Sequence, residues 1–250
     1  MKTDNCLVHQ THDDGRRRLL RSAAHMAAMG TLSGLTFGVP ESSLAAALSE
    51  ETRNQLTAEQ IIEMMKQGNA RFRNGRMLPH DYLAQKRSSL TAQYPAAVIL
   101  SCMDSRAPAE IVLDAGIGDM FNVRVAGSVA NDDVIGSLEF ACAIAGAKVV
   151  LVMGHTSCGA IKGAIDGAEL GHLTGLLKNI KPIVDATAYM GDRTSKNEAF
   201  VDEVAKTHVE TTMYEIRRRS HVLAALEQDG SIKLVGAMYH LVGGLVDFFI

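Results

Sequence analysis

The sequence predicts an α/β fold: a mostly parallel β-sheet flanked by helices, with an N-terminal helical arm ahead of it. Three observations carry this. Short apolar runs alternate with helical patterns through the second half of the chain, as βα units do. Several of those runs are apolar at successive positions rather than at every second one, which suits strands buried on both faces. At 250 residues, 47% hydrophobic and 21% charged, the chain also has the make-up of one sizeable globular domain plus accessory segments.

The elements follow in order. Residues 57–72 read as a helix, with Thr57 as cap, Glu59 and Gln60 near the first turn, and Ile61, Ile62, Met65 and Phe72 along one face. Asn74-Gly75 ends it. A second helical stretch covers 84–90, and residues 48–94 together form the arm. The core, 95–250, opens after Pro95 with an apolar strand at 96–101. Residues 108–113 suit a helix start with Pro108 near N1. A second strand is expected at 120–125. Residues 132–145 form a helix whose buried side carries Val134, Ile135, Leu138, Ala141, Cys142 and Ala145. A third strand spans 147–153, and a helix opens at 159–166. Two further helices cover 200–219 and 221–228. Strands at 231–239 and 245–250 complete the set, and no internal repeat interrupts it.

Residues 1–47 stand apart. Arg16-Arg17-Arg18-Leu19-Leu20-Arg21 precedes a mildly apolar stretch, and Ala45-Ala46-Ala47 closes it. Basic, apolar and small-residue regions in that order make a secretory signal. Consecutive arginines before a weakly apolar stretch resemble a twin-arginine signal. A membrane anchor is the competing reading, but Arg21, His25, Thr31, Ser33 and Thr36 make poor spanning material, since a span needs ~20 predominantly apolar residues. No Cys follows the stretch to take a lipid. The expectation is a signal peptide removed on export, with the twin-arginine translocation machinery as a transient partner and a periplasmic or secreted product. Cys6 leaves with it.

Charge and cysteine content exclude other classes. The net charge is −3, without the basic face of a nucleic-acid binder. Four Cys are too few for a disulfide-stapled scaffold, and a metal or catalytic role for some of them is the better reading.

Two motifs supply that role. Ser101-Cys102-Met103-Asp104-Ser105-Arg106 and Gly154-His155-Thr156-Ser157-Cys158-Gly159 each follow an apolar strand, where open α/β sheets place their sites. Two thiolates and one imidazole suit Zn²⁺, and three protein ligands leave a fourth tetrahedral position for water. Either motif alone is weak. Cys142, on a helical face, reads as a small buried hydrophobe. Asp104 can accept a hydrogen bond from the nucleophile, and Arg106 can clamp Asp104 through a bidentate pair; a plain loop salt bridge is the bland alternative.

The pair CMDSR and GHTSCG resembles the β-class carbonic anhydrase signature, over roughly residues 57–250. Pro108-Ala109-Glu110, Phe121-Asn122-Val123-Arg124 and Gly136-Ser137-Leu138-Glu139-Phe140 are similar as well. The resemblance implies a carbonate dehydratase, a zinc lyase that interconverts CO₂ with bicarbonate and a proton by zinc-bound hydroxide. It implies one Zn²⁺ per chain on Cys102, His155 and Cys158, with Asp104 and Arg106 as the catalytic dyad. It also implies a four-stranded parallel core with an added strand, and an obligate homodimer with its active site at the subunit interface. By similarity Gln93 takes the place of a substrate-side amide, Phe121 and Phe140 those of aromatic pocket residues, and Gly159 that of a backbone N–H donor. Gln93 as a surface residue and the two Phe as core residues are the alternatives.

The family's regulatory bicarbonate site includes a Trp in some members, and this chain has none. His172, His208, His221 and His240 read as surface or helix residues. Rival functions are a COS or CS₂ hydrolase on the same scaffold, a non-enzymatic zinc or bicarbonate-binding protein, and a redox protein using Cys102 and Cys158. The last two have no use for Asp104 and Arg106.

Overall fold

The computed structural model describes residues 46–249. The signal expected at 1–47 falls almost wholly outside that range.

The arm comprises α1 (Glu50–Gln55), α2 (Ala58–Arg73) and α3 (Tyr82–Ser88). Thr57 caps α2 through a capping box: its side chain accepts from the Gln60 N–H, and the Gln60 side chain accepts from the Thr57 N–H. Ile61 and Met65 then face inward. The short α1 was not anticipated. It is anchored by the buried Arg53, whose guanidinium donates to the carbonyls of Ala145 and Gly146.

The core strands are β1 (Ala97–Ser101), β2 (Met120–Arg124), β3 (Val149–His155), β4 (Lys233–Tyr239) and β5 (Val246–Phe249). They lie in the order β2-β1-β3-β4-β5. The first four are parallel and β5 is antiparallel to β4. This is the mostly parallel sheet with one added edge strand that the sequence predicts.

Both faces are covered. On one side Val98, Leu100, Val150 and Val152 pack with Leu138, Ile161, Ile180, Phe200 and Ile216. On the other, Ala97, Ile99, Val149, Leu151 and Met153 pack with Ile61, Met65 and Val112. Neighbouring residues of one strand serve opposite cores, which explains the unbroken apolar runs. Each fully buried aliphatic side chain stabilises the fold by about 1.5–3 kcal/mol before entropy is counted.

The connecting helices are α4 (Ala109–Val112), α5 (Asp132–Glu139), α6 (Gly159–Ile165), α7 (Gly171–Leu177), α8 (Lys181–Ala186), α9 (Glu198–Arg219) and α10 (His221–Gln228). Pro108 caps α4 rather than occupying its first turn. The helix expected over 132–145 is α-helical only to Glu139 and continues as a π turn, Phe140–Ile144. The sequence reading missed α7 and α8, which are short; Leu177, Ile180 and Val184 pin them to the core.

Strand β3 runs two residues further than expected, because Gly154 and His155 stay in register with Met238 and Tyr239 of β4. Gly154 also lets α9 approach closely. A Cβ there would lie 2.7 Å from both Val209 Cγ2 and Met238 Sδ.

Candidate metal centre

The chain passes from β1 outward to β2, then returns to the far side of β1 as β3. The direction of winding reverses between β1 and β3, so a crevice opens beyond their carboxyl ends. Cys102 follows β1, His155 ends β3 and Cys158 caps α6. All three side chains are buried, and their ligand atoms lie within 4.8 Å of one another. The two sulfurs are 4.0 Å apart, close to the ~3.8 Å that two thiolates on one tetrahedral zinc would show.

The hydrogen bonds leave His155 ready as a ligand. Its Nδ1 lies 2.9 Å from the Thr156 carbonyl oxygen. A carbonyl only accepts, so Nδ1 carries the proton and Nε2 presents its lone pair. That buried Nε2 has no hydrogen-bond partner. Burial works against charge on His155, but the Cys102 sulfur beside it outweighs this and draws its pKa upward.

Between themselves the sulfurs share a proton. The Cys158 S–H pulls Cys102 down to about 4, while Cys158 is pushed up by the same contact and by burial. N–H groups of Ile161 and Ala160, at the start of α6, oppose that rise. The Gly127 N–H lies 3.4 Å from the Cys102 sulfur. An orphaned imidazole nitrogen and two sulfurs at chelating distance fit a borderline-soft tetrahedral ion.

Asp104 stands beside this triad. Its Oδ1 accepts from the Arg106 backbone N–H and Nε, both at 2.9 Å, and its Oδ2 from Arg106 Nη2 at 2.8 Å. Arg106 therefore holds the carboxyl well below the usual carboxylate range. Arg124, at the end of β2, donates to the carbonyls of Cys102 (3.1 Å) and Asp104 (2.6 Å) and fixes the loop between them.

The second ligand loop is held as firmly. Ser157, between His155 and Cys158, has φ 55°, and its N–H donates to Asp202 of α9 at 2.8 Å. Thr156 bonds the backbone of Tyr239 and Leu241.

The expected pocket residues fare differently. Gly159 adjoins Cys158 as the first residue of α6, with open space at its Cα. Gln93 is exposed, ahead of the amino end of β1. Phe121 pairs in register with Val98, four residues before Cys102 and therefore roughly 13 Å from it along the strand. Phe140 packs edge-on against Phe121, ring centres 6.3 Å apart, and is half exposed. The small cavity around the ligands, about 10 Å³, is lined instead by Gly127, Ser128, Ile161, Ala205, His208 and Val209 among others. Within one chain Gln93, Phe121 and Phe140 do not join Cys102, His155 and Cys158. Distance along β1 and β2 keeps them apart.

His208 is a helix residue, as expected, and lies on the buried side of α9. Arg124, Asp202 and Gly127 were not singled out as supports from the sequence, because each acts through backbone groups distant in the chain.

Three ligands leave one position of a tetrahedral ion open, so the strand ends carry the kind of centre that metalloenzymes use for catalysis. The family model described as carbonic anhydrase matches residues 97–246. A carbonic anhydrase of Mycolicibacterium smegmatis is 38% identical over 185 residues, covering 73% of this chain and 89% of the relative. Carbonic anhydrase 2 of Mycobacterium tuberculosis is 37% identical over 182 residues, 72% and 87%. One of two tetrameric β-carbonic anhydrases from Sordaria macrospora superposes with TM-score 0.57 at 22% identity, covering 64% of this chain and 83% of that one. The chain belongs to the carbonic anhydrase family, and its fold is like that of the β class.

Proposed function

We propose that this enzyme interconverts CO₂ with bicarbonate and a proton at a zinc ion held by Cys102, His155 and Cys158. The observation that carries the reading is the buried Cys₂His triad with Asp104 tied to Arg106 beside it. When bound, zinc supplies a Lewis acid that lets water react as a nucleophile near neutral pH.

The chain's own residues do the rest. His155 keeps its Nε2 unprotonated because Nδ1 is committed to Thr156. Ionised Asp104 can only accept hydrogen bonds. It takes the O–H of the attacking water and turns that oxygen's lone pair toward CO₂. Arg106 keeps Asp104 from rotating in as a fourth ligand. The Gly159 N–H, at the start of α6, would donate to an oxygen of the substrate.

A second copy of the chain completes the pocket with Gln93, Phe121 and Phe140. The exposed Ile117, Phe140 and Ile144 supply an apolar surface on the β2 side for it. The working unit is a homodimer or a higher oligomer. Residues 1–47 direct export through the twin-arginine route, and the mature enzyme acts in the periplasm or outside the cell.

Stopped-flow CO₂ hydration by the zinc-loaded mature chain, with COS and CS₂ run alongside, tests the reading. Catalysed CO₂ hydration is expected. Turnover of COS or CS₂ without it would transfer the site to the hydrolase alternative, and no turnover of any of the three would leave a binding protein.

A further inference from the structure

His208 sits on the buried side of α9 and has no part in the reading above. Its Nε2 lies 2.7 Å from the carbonyl oxygen of Gly127. That oxygen can only accept, so Nε2 carries the proton. Nδ1 is then a bare lone pair, with no partner among the described residues. A charged imidazolium would gain a second N–H with nothing to bond, and burial accordingly lowers the pKa of His208.

Gly127 is a joint that needs holding. It has φ 69° and ψ 10°, a left-handed conformation that glycine enters and leaves easily. A side chain could not stiffen it: a Cβ would lie 2.7 Å from Ile180 Cδ1 and 3.2 Å from Ala160 Cβ. Its N–H points at the Cys102 sulfur, 3.4 Å away, and its carbonyl points at His208. Holding the carbonyl fixes one of the two peptide planes that meet at Gly127, and so limits how far the other, which carries the N–H, can swing about this flexible residue.

We propose that His208 is a positioning residue for the metal centre: by holding the Gly127 carbonyl it aims the Gly127 N–H at the Cys102 sulfur. The inference rests on the zinc reading of that site. Two thiolates nearly cancel the charge of a dication and blunt its effect on water. An N–H···S bond withdraws electron density from one sulfur, returns acidity to the centre and keeps the ligand oriented. Cys158 receives the same support from the start of α6; Cys102 has no such helix and takes it from the N–H groups of Gly127 and Asp104.

The test compares His208→Leu, which loses the donor, with His208→Gln, whose amide reaches about as far. The zinc-loaded full chain is used throughout. In His208→Leu, zinc transfer to a chelator should be about 10-fold faster, the scale of lost support behind a ligand. The midpoint of the kcat/KM–pH profile should rise by roughly 0.5–1 unit, the size of one hydrogen bond. His208→Gln should restore both. A folded His208→Leu with wild-type release and midpoint overturns the proposal, as does a folded His208→Gln that behaves like Leu. Should His208→Leu not fold, amide exchange in the wild-type holoenzyme reads the bond that His208 is proposed to aim, Gly127 N–H to the Cys102 sulfur: a protected Gly127 N–H is expected, and fast exchange overturns the proposal. A wild-type chain that holds zinc yet hydrates no CO₂ would sink the functional reading alone, because the chelator comparison still judges His208.

Discussion

The Oδ2 of Asp104 comes within 3.8 Å of His155 Nε2, yet that same oxygen accepts from Arg106 Nη2 at 2.8 Å. A carboxylate so near a candidate ligand atom, and free to turn, would compete for the metal. The arginine holds the acceptor beside the site instead of in it.

Removing either member of this pair should therefore cost rate and not metal. Asp104→Ala and Arg106→Ala are each expected to retain zinc and to lose about 10²–10⁴ in CO₂ hydration, the scale of a positioned acid/base group. Arg106→Lys should rescue little, because an ammonium cannot make the two-pronged contact. Metal analysis and stopped-flow rates check this, and wild-type rates in both alanine variants would dissolve the dyad.

The clamp also has a pH signature. Arg106 lowers the Asp104 pKa in the folded state, so the pair's stabilisation is fully present above the unfolded value, ~3.9. It is lost as pH falls through and below that range. The Tm difference between wild type and Arg106→Ala should be constant from pH 8 to about pH 5 and shrink below about pH 4. Thermal unfolding at stepped pH measures it; a difference that grows in acid would contradict the assignment.

Zinc content separates ligands from supports. His155→Ala and Cys158→Ala should fall from one zinc per chain toward none, with activity lost in parallel. Full occupancy in Cys158→Ala would remove that residue from the ligand set.

The division of the pocket between copies can be read by complementation. A chain carrying Cys158→Ala has no metal site but an intact Phe121–Phe140 edge; one carrying Gln93→Ala and Phe140→Ala has the reverse. Each homodimer should be impaired. Unfolding and refolding the two as a mixture should regain activity, because one site in each mixed dimer then has both halves intact. No recovery in a mixture shown to contain heterodimer would place the pocket within one chain.

Export is testable through Arg16, Arg17 and Arg18. Replacing all three with Lys should abolish active enzyme in the periplasmic fraction. The twin-arginine route carries folded cargo, so zinc would be loaded beforehand and would protect Cys102 and Cys158, 4.0 Å apart, from oxidation to a disulfide. Undiminished periplasmic activity would refute this route.

The sheet was legible because its three inner strands, β1, β3 and β4, are apolar on both faces, a pattern that survives in one dimension. The candidate metal-binding cluster was legible because CMDSR and GHTSCG place Cys102, His155 and Cys158 at strand ends. What stayed hidden is held by backbone. Arg124 grips two carbonyls across the strand pair, Asp202 takes an N–H from a loop forty-five residues away, and His208 meets Gly127 across eighty-one. No local pattern announces a side chain whose partner is a distant peptide group. The π turn at Phe140–Ile144 likewise leaves no mark in the 3.6-residue apolar period of α5.

Gly154 acts as a spacer of fixed thickness. Its missing side chain sets how near α9 lies to β3, and α9 carries both Asp202, which steadies the loop of His155 and Cys158, and His208, which steadies the residue facing Cys102. One methyl group at this position would press on Val209 of the helix that braces both ligand loops. The metal site is thus gauged from behind, by a residue that touches no substrate, and its tolerance to sequence drift is set there as much as at the ligands.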